Sequence, residues 1–285
     1  MALEVKLSQG AKPGLGGVLP KAKITPEIAN IRGITRERDC ISPARHTVFS
    51  DVDGLLDFVE TLADRTGLPV GVKSAVGDLE FWATLVARVA ATGRAPDYLQ
   101  IDGGEGGTGA APLTFSDHVA WPFKIAFARV YRMFAEAGLD DKIVFVGSGK
   151  LGFPETALLA LSLGCDMVAL AREPMLAIGC IQAQRCHTDH CPTGVTTQNR
   201  WLMRGLDPAL KSVRLANYVC VLRKELLRLA RACGVAHPGL LTTDQIEILD
   251  GHFGSASARE VFGYKPGWGL PSADDRAEIT RLMTG

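Results

Sequence analysis

The sequence carries no surplus charge of either sign: 31 Lys and Arg residues stand against 31 Asp and Glu in a chain of 285. Without a net field to gather polyanions, nothing in the composition favours nucleic acid or an anionic membrane surface as a partner. Long hydrophobic runs are missing too. No apolar stretch reaches the length of a membrane-spanning helix, and the opening MALEVKLSQG has no signal-peptide hydrophobic region, so the expectation is a cytoplasmic protein. Cysteine is scarce: seven residues, an odd number in a long chain without a secretory signal, argue against a disulfide framework. Internal repeats and low-complexity tracts are absent as well.

What is present alternates. Short β-branched runs at Glu4–Leu7, Val70–Lys73, Tyr98–Ile101, Ile143–Gly147 and Met167–Leu170 read as buried parallel strands. Helical patterns fill the intervals, at Val52–Thr66, Leu79–Ala91, Val119–Ala137 and Glu155–Leu163. Such alternation predicts an α/β fold with a parallel sheet, and glycine-rich loops after the strands suggest a (β/α)8 barrel with its site on that face. Five strands are evident where a closed barrel has eight, so the expected barrel lacks its first strand–helix units. Residues 1–205 would form this body, and residues 206–285 a C-terminal helical extension. In that extension Pro208–Cys233 is a basic amphipathic helix with Leu215, Val219, Leu222, Leu226 and Leu229 on one stripe, followed by a Gly- and Pro-rich tail that wraps the domain.

Four segments carry chemistry. QIDGGEGGTGAAP (Gln100–Pro112) follows a strand, and its glycines let backbone N–H groups approach an anion while Thr108 adds a hydroxyl. No helical pattern opens straight after these glycines, so the dinucleotide fingerprint does not fit. VGSGKLG (Val146–Gly152) repeats the arrangement one strand later, with Ser148, Gly149 and Lys150 facing the same place; a solvated loop lysine is the bland alternative for Lys150. Lys73 ends a strand and points into the site, where an anionic partner or a structural ion pair must meet it. VKLSQGAKPGLGGVLP (Val5–Pro20) is a shaped loop whose Lys6 and Lys12 could meet a dicarboxylate, with Gln9 beside them; otherwise it is an exposed basic loop.

The fifth segment, GCIQAQRCHTDHCPTG, gathers Cys180, Cys186 and Cys191 with His187 and His190. Structural zinc usually takes four ligands in paired short spacings, and either histidine could be the fourth. Three thiolates with Pro192 after the last also suit iron bound to sulfide. Spacing leaves both open.

Together these segments resemble the FMN-binding domain of glutamate synthase and its shorter relatives. The motif QGAKPGxGGxLP is matched at Gln9–Pro20, the GGTGA-P loop at Gly106–Pro112, and GCI-x5-C-x4-CP-GV-TQ at Gly179–Gln198. The resemblance implies FMN, with Lys73, Gln100, Gly106, Gly107, Thr108, Gly109, Ser148, Gly149 and Lys150 around it. It implies a 3Fe–4S cluster on Cys180, Cys186 and Cys191, and Lys12 and Gln9 at the substrate, Lys12 and Lys73 being the catalytic pair. The histidines would then be peripheral, and Cys40, Cys165, Cys220 and Cys233 structural. The implied reaction is reductive amination of 2-oxoglutarate to L-glutamate, with ammonia from a glutaminase subunit and electrons from another subunit or a ferredoxin. Family members begin about three strand–helix units earlier, in keeping with the strand count. Residue 2 is Ala, where a glutaminase nucleophile would be Cys, and no nicotinamide fingerprint is visible. A different FMN-dependent amine oxidoreductase, such as an N-methylglutamate synthase, and an electron-transfer subunit inactive without a partner are the competing readings.

Overall fold

The computed structural model describes residues 1–107 and 109–284. Its elements run β1 (Leu3–Lys6), β2 (Val18–Leu19), α1 (Pro26–Arg32), β3 (Cys40–Ile41), α2 (Val52–Thr66), β4 (Val70–Ser74), α3 (Glu80–Thr92), β5 (Tyr98–Asp102), α4 (Phe123–Glu136), β6 (Val144–Ser148), α5 (Pro154–Ser162), β7 (Met167–Ala169), α6 (Arg172–Ala177), α7 (Pro208–Ala232), β8 (Glu247–Leu249), β9 (Ser255–Ser257), α8 (Ala258–Phe262) and α9 (Ala273–Thr284). Five strands form one parallel sheet in the order β1-β4-β5-β6-β7, and β2/β3 and β8/β9 are small antiparallel pairs. The five expected strands are the five observed, shifted by a residue or so. The chain is therefore α/β, an arc of barrel-type strand–helix units followed by C-terminal helices.

Burial explains the strand sequences. β4, β5 and β6 are covered on both faces, and their apolar runs are nearly continuous. β1 alternates instead, with Val5 buried and Glu4 and Lys6 exposed, because no strand of the described residues pairs with its outer edge. His46 covers one point of that edge, its Nε2 lying 3.0 Å from the Lys6 carbonyl oxygen.

The helices start and stop where local chemistry dictates. The Asp51 carboxylate accepts the Gly54 N–H at 2.8 Å to cap α2, and Gly67 ends it at φ 64°, a conformation that Cβ-bearing residues resist. Its buried residues, Val52, Leu55, Leu56 and Val59, keep the spacing of one helical face. α4 begins four residues later than the pattern from Val119 predicts, because Pro122 has the extended backbone of a cap. Its buried face carries Phe127, Tyr131 and Phe134, which pack on Phe145 of β6, and Phe123, which packs on Phe127. Rings at 5–6 Å in edge and tilted orientations anchor this side of the core.

α7 departs from the expected apolar stripe. Leu222 is buried and Leu226 and Leu229 are half-buried, but Leu215 and Val219 are exposed. The first half still meets the body where the Tyr218 hydroxyl donates to the Gly152 carbonyl at 2.7 Å. The tail returns to the aromatic core: the Tyr264 hydroxyl donates to the Leu163 carbonyl at 2.8 Å, and Gly269 N–H donates to the Tyr131 hydroxyl at 3.0 Å. No helix among the described residues is long and apolar enough to cross a membrane.

Candidate functional site

Strand register lines up the polar residues at the carboxyl ends. Lys6 is opposite Lys73, Lys73 opposite Gln100, and Asp102 opposite Ser148, so side chains of like parity share the inner face. Asp102 is the hub. Its Oδ1 accepts the Ser148 hydroxyl at 2.6 Å, its Oδ2 accepts the Gly10 N–H at 2.8 Å, and Lys73 Nζ stands 3.8 Å from Oδ2. All three partners come from different loops or strands, so one buried carboxylate ties the loop after β1 to the ends of β4, β5 and β6. With its amide oxygen toward Lys73 Nζ (3.1 Å) and its amino group toward Glu4 Oε2 (3.0 Å), Gln100 meets a cation and a carboxylate in the favourable sense.

These charges act on one another. Although much of the Glu4 residue is exposed, partial desolvation of its carboxyl at the strand ends raises it above its ordinary value, and Lys73 and Lys6 only partly offset this. Burial likewise lowers the Lys6 ammonium, helped by repulsion from Lys73 and Lys12. Lys6 Nζ donates to Gln9 Oε1 at 2.8 Å. Lys12 lines the same cleft of about 290 Å³ as Lys6, Gln9 and Arg45, and its side chain makes no ion pair among the described residues. The loop after β1 thus presents cations with few local counter-charges. Gly10 holds it close to the strand ends, since a Cβ there would sit 1.8 Å from the Gly103 carbonyl oxygen.

The glycine loops lie where the sequence placed them, with two differences. The Ser148 hydroxyl is already committed to Asp102, and Lys150 pairs with Asp117 at 3.3 Å on the surface. Gly149 has φ 134°, which only glycine adopts comfortably, and so brings β6's loop against Gly103. Gly106 is packed against the Asp102 carboxylate and Gly109 against Cys186: a Cβ on Gly109 would lie 2.4 Å from the Cys186 sulfur. Thr108 lies outside the described residues.

A cleft of about 600 Å³ opens between this loop and the cysteine segment, with Gly106, Gly107, Arg172, Cys180 and Cys186 among its walls. Glu105 is also on its wall; both of its oxygens accept the Phe123 N–H, at 2.8 and 3.0 Å, and burial still raises its carboxyl above the ordinary value. Cys180, Cys186 and Cys191 line one adjoining small pocket together, and no other cysteine reaches it. Burial pushes the Cys191 thiol up, but Thr193 and Thr196, through side chains and backbone, pull it down to about 6. Thr196 Oγ1 is buried without a well-formed hydrogen bond of its own. Lys23 Nζ pins the segment from outside, donating to the carbonyls of Cys186 (2.8 Å) and Thr196 (2.7 Å). Among the described residues no group of three or more His, Cys, Asp or Glu converges as a single metal ion would require. His190 is turned to the Thr188 carbonyl, 2.7 Å from Nδ1.

Asp102, Glu4, Arg172 and Lys23 were not singled out from sequence. Asp102 had the same signal as Lys73, a charge ending a buried strand. Lys23 had none, because its partners are backbone atoms more than 160 positions away.

The family model described as the conserved region in glutamate synthase matches residues 1–236. A glutamate synthase large subunit-like protein of Bacillus subtilis is 40% identical over 237 residues, covering 83% of this chain and 45% of that protein. An archaeal NADPH glutamate synthase of Methanocaldococcus jannaschii is 39% identical over 236 residues, covering 82% and 46%. The chain thus spans less than half the length of these curated relatives. Among solved structures, a leucine-to-alanine mutant of flavocytochrome b2 with benzoylformate superposes with TM-score 0.50 at 16% identity, over 98% of this chain and 52% of that one, a likeness of fold. By its matched family region and its relatives, the chain belongs to the glutamate synthase family.

Proposed function

We infer that the chain carries the synthase half of a glutamate synthase reaction, the reductive amination of 2-oxoglutarate to L-glutamate, with FMN at the strand ends and a 3Fe–4S cluster on Cys180, Cys186 and Cys191. The observation that carries this reading is the shared cleft: the glycine loop after β5 forms one wall, and Cys180 and Cys186 form another. A cluster, unlike a single ion, takes thiolates that stand apart around it, so three cysteines lining one pocket without converging suit it better than zinc. The glycines at 106, 107 and 109 leave a surface without side chains for a flat ligand to approach.

When bound, FMN supplies hydride transfer and the cluster supplies one-electron relay. The chain's own residues supply charge and position. Lys73, held by Asp102 and Gln100, keeps a cation at the strand ends where negative charge must be stabilised. Lys12, without an ion pair, is the residue for a substrate carboxylate, and Gln9 orients its neighbour Lys6. Ammonia and electrons come from partners, a glutaminase subunit and an electron-donor subunit or ferredoxin. The unpaired edge of β1 favours a second reading, a cluster-carrying subunit inactive until a partner completes the barrel, and predicts weak FMN retention by this chain alone.

The test is anaerobic purification followed by metal, sulfide and turnover analysis. Iron with acid-labile sulfide, and glutamate formed from 2-oxoglutarate, ammonium and a chemical reductant in the presence of added FMN, are expected. Stoichiometric zinc without sulfide would remove the cluster. Methylamine consumption without glutamate would shift the assignment to an N-alkylating synthase.

A further inference from the structure

We propose that Lys23 and Lys211 form a cationic frame around the cysteine pocket that raises the reduction potential of the cluster held there, with Lys23 as its positioning residue. The proposal rests on the cluster reading above and adds which side chains tune that site. Lys23 closes the 3-10 turn Lys21–Lys23, and its neighbour Ile24 is buried, so its side chain leaves the body at a fixed point. The residue is itself half-buried. Its Nζ donates to the carbonyls of Cys186 at 2.8 Å and Thr196 at 2.7 Å, joining the two ends of the loop that carries Cys191. Carbonyls satisfy N–H groups but bring no net charge, so the cation is held in place and not neutralised.

The rest of the pocket has the same sign. Its wall carries the three thiols and Arg185 but no carboxylate. At its other end Lys211 of α7 reaches Gly179, next to Cys180: a Cβ on Gly179 would lie 2.9 Å from Lys211 Nζ. Among the described residues neither lysine has a carboxylate at ion-pair distance. Asp189, the acid within the segment, is taken up by the Thr197 hydroxyl and the Gln198 N–H. Three thiolates around iron and sulfide make an anionic group, and one added electron makes it more so. Fixed cations stabilise the more negative state further, because the attraction grows with charge and is strong away from water. A purely structural clasp on two carbonyls would need a donor but no charge, and that difference can be measured.

The test is anaerobic reconstitution of the intact chain with iron and sulfide, then metal and sulfide analysis and a mediated redox titration with dithionite as the electron source. One electron enters the cluster, and no bond is made or broken. Lys23→Gln keeps an amide donor for the two carbonyls and removes the charge. It should hold wild-type iron and sulfide, and shift the equilibrium about tenfold toward the oxidised form, a fall of about 59 mV for a one-electron couple. Lys23→Arg keeps charge and donors and should stay near the wild-type potential. Lys211→Met should lower the potential without touching either carbonyl. An unchanged potential in Lys23→Gln at wild-type iron content overturns the frame and leaves the cluster reading standing. If Lys23→Gln sheds its iron, Lys211→Met decides: a lowered potential, with Lys23→Arg like wild type, supports the frame, and an unchanged one overturns it. A wild-type chain that takes up neither iron nor sulfide overturns the frame and the cluster reading together.

Discussion

The strand-end network and the cysteine segment meet through the glycine loop after β5, yet they are built on opposite plans. At the strand ends each donor has its acceptor: Asp102 takes Ser148, Gly10 and Lys73, and Gln100 bridges Lys73 and Glu4. The cysteine segment is left incomplete. Gln182, Gln184 and Asp189 sit at φ 55°, 55° and 66°, a region that side chains resist. A satisfied network holds its geometry without a ligand, whereas strained loops that carry three thiols can be completed by one. The first region should govern whether the chain folds, and the second what it holds once folded.

Asp102→Ala is the most damaging test of that division. It strips partners from a buried hydroxyl, a backbone amide and the Lys73 cation at once, and should cost about 3–5 kcal/mol by denaturant unfolding. Asp102→Asn keeps two acceptor–donor contacts in reach and should cost less. If Asp102→Ala unfolds like wild type, the strand ends are not the organising region.

Gly109→Ala strikes where the regions meet. Its Cβ would collide with the Cys186 sulfur, and overpacking of this kind costs about 1–3 kcal/mol. The expected signature is combined: a lower melting temperature and reduced iron content. Loss of iron alone would mean that the glycine loop tolerates displacement.

Cys186→Ser should move stability least while removing iron. Its thiol is half-buried in a loop that the body does not need, so the apo chain should melt within about 1 kcal/mol of wild type. Cys233→Ser, outside the pocket, should leave iron unchanged. A strongly destabilised apo Cys186→Ser chain would contradict the division of labour.

The same division explains what the sequence could reveal. All five parallel strands were legible, because burial on both faces leaves apolar runs that punctuation by glycine and proline makes plain. Lys73 and the three cysteines stood out in the sequence by residue type and spacing, and Gln100 by the resemblance alone. A lysine in a glycine loop looks like an anion binder, and the sequence could not show that Lys150 also has Asp117 within 3.3 Å. Arg172 was passed over for the complementary reason, since being unpaired is a property of three-dimensional neighbours and leaves no mark in the string. The stripe on α7 shows the same limit, for Leu215 and Val219 have helical spacing yet stay exposed.

The smallest effect expected is a pH dependence that comes from the cleft wall. Burial raises the Glu105 carboxyl above 4.5, although its contacts with the Phe123 N–H and the charge of Lys150 oppose the shift. The folded chain therefore holds this proton more tightly than the unfolded chain. By linkage, the contribution of Glu105 to stability falls as pH rises from 4.5 through the raised folded value, and is constant above it. This is the reverse of a salt-bridged carboxylate, whose contribution is lost on acidification. Glu105→Gln keeps an oxygen to accept the Phe123 N–H and removes the titration, so its unfolding free energy should gain on wild type as the pH passes that window upward. Parallel unfolding curves of the two proteins at pH 5 and 7 measure the difference directly. A wild-type chain that gains on Glu105→Gln over this interval would mean that Glu105 acts as a charged cap of α4, stabilised by that N–H more than burial opposes it.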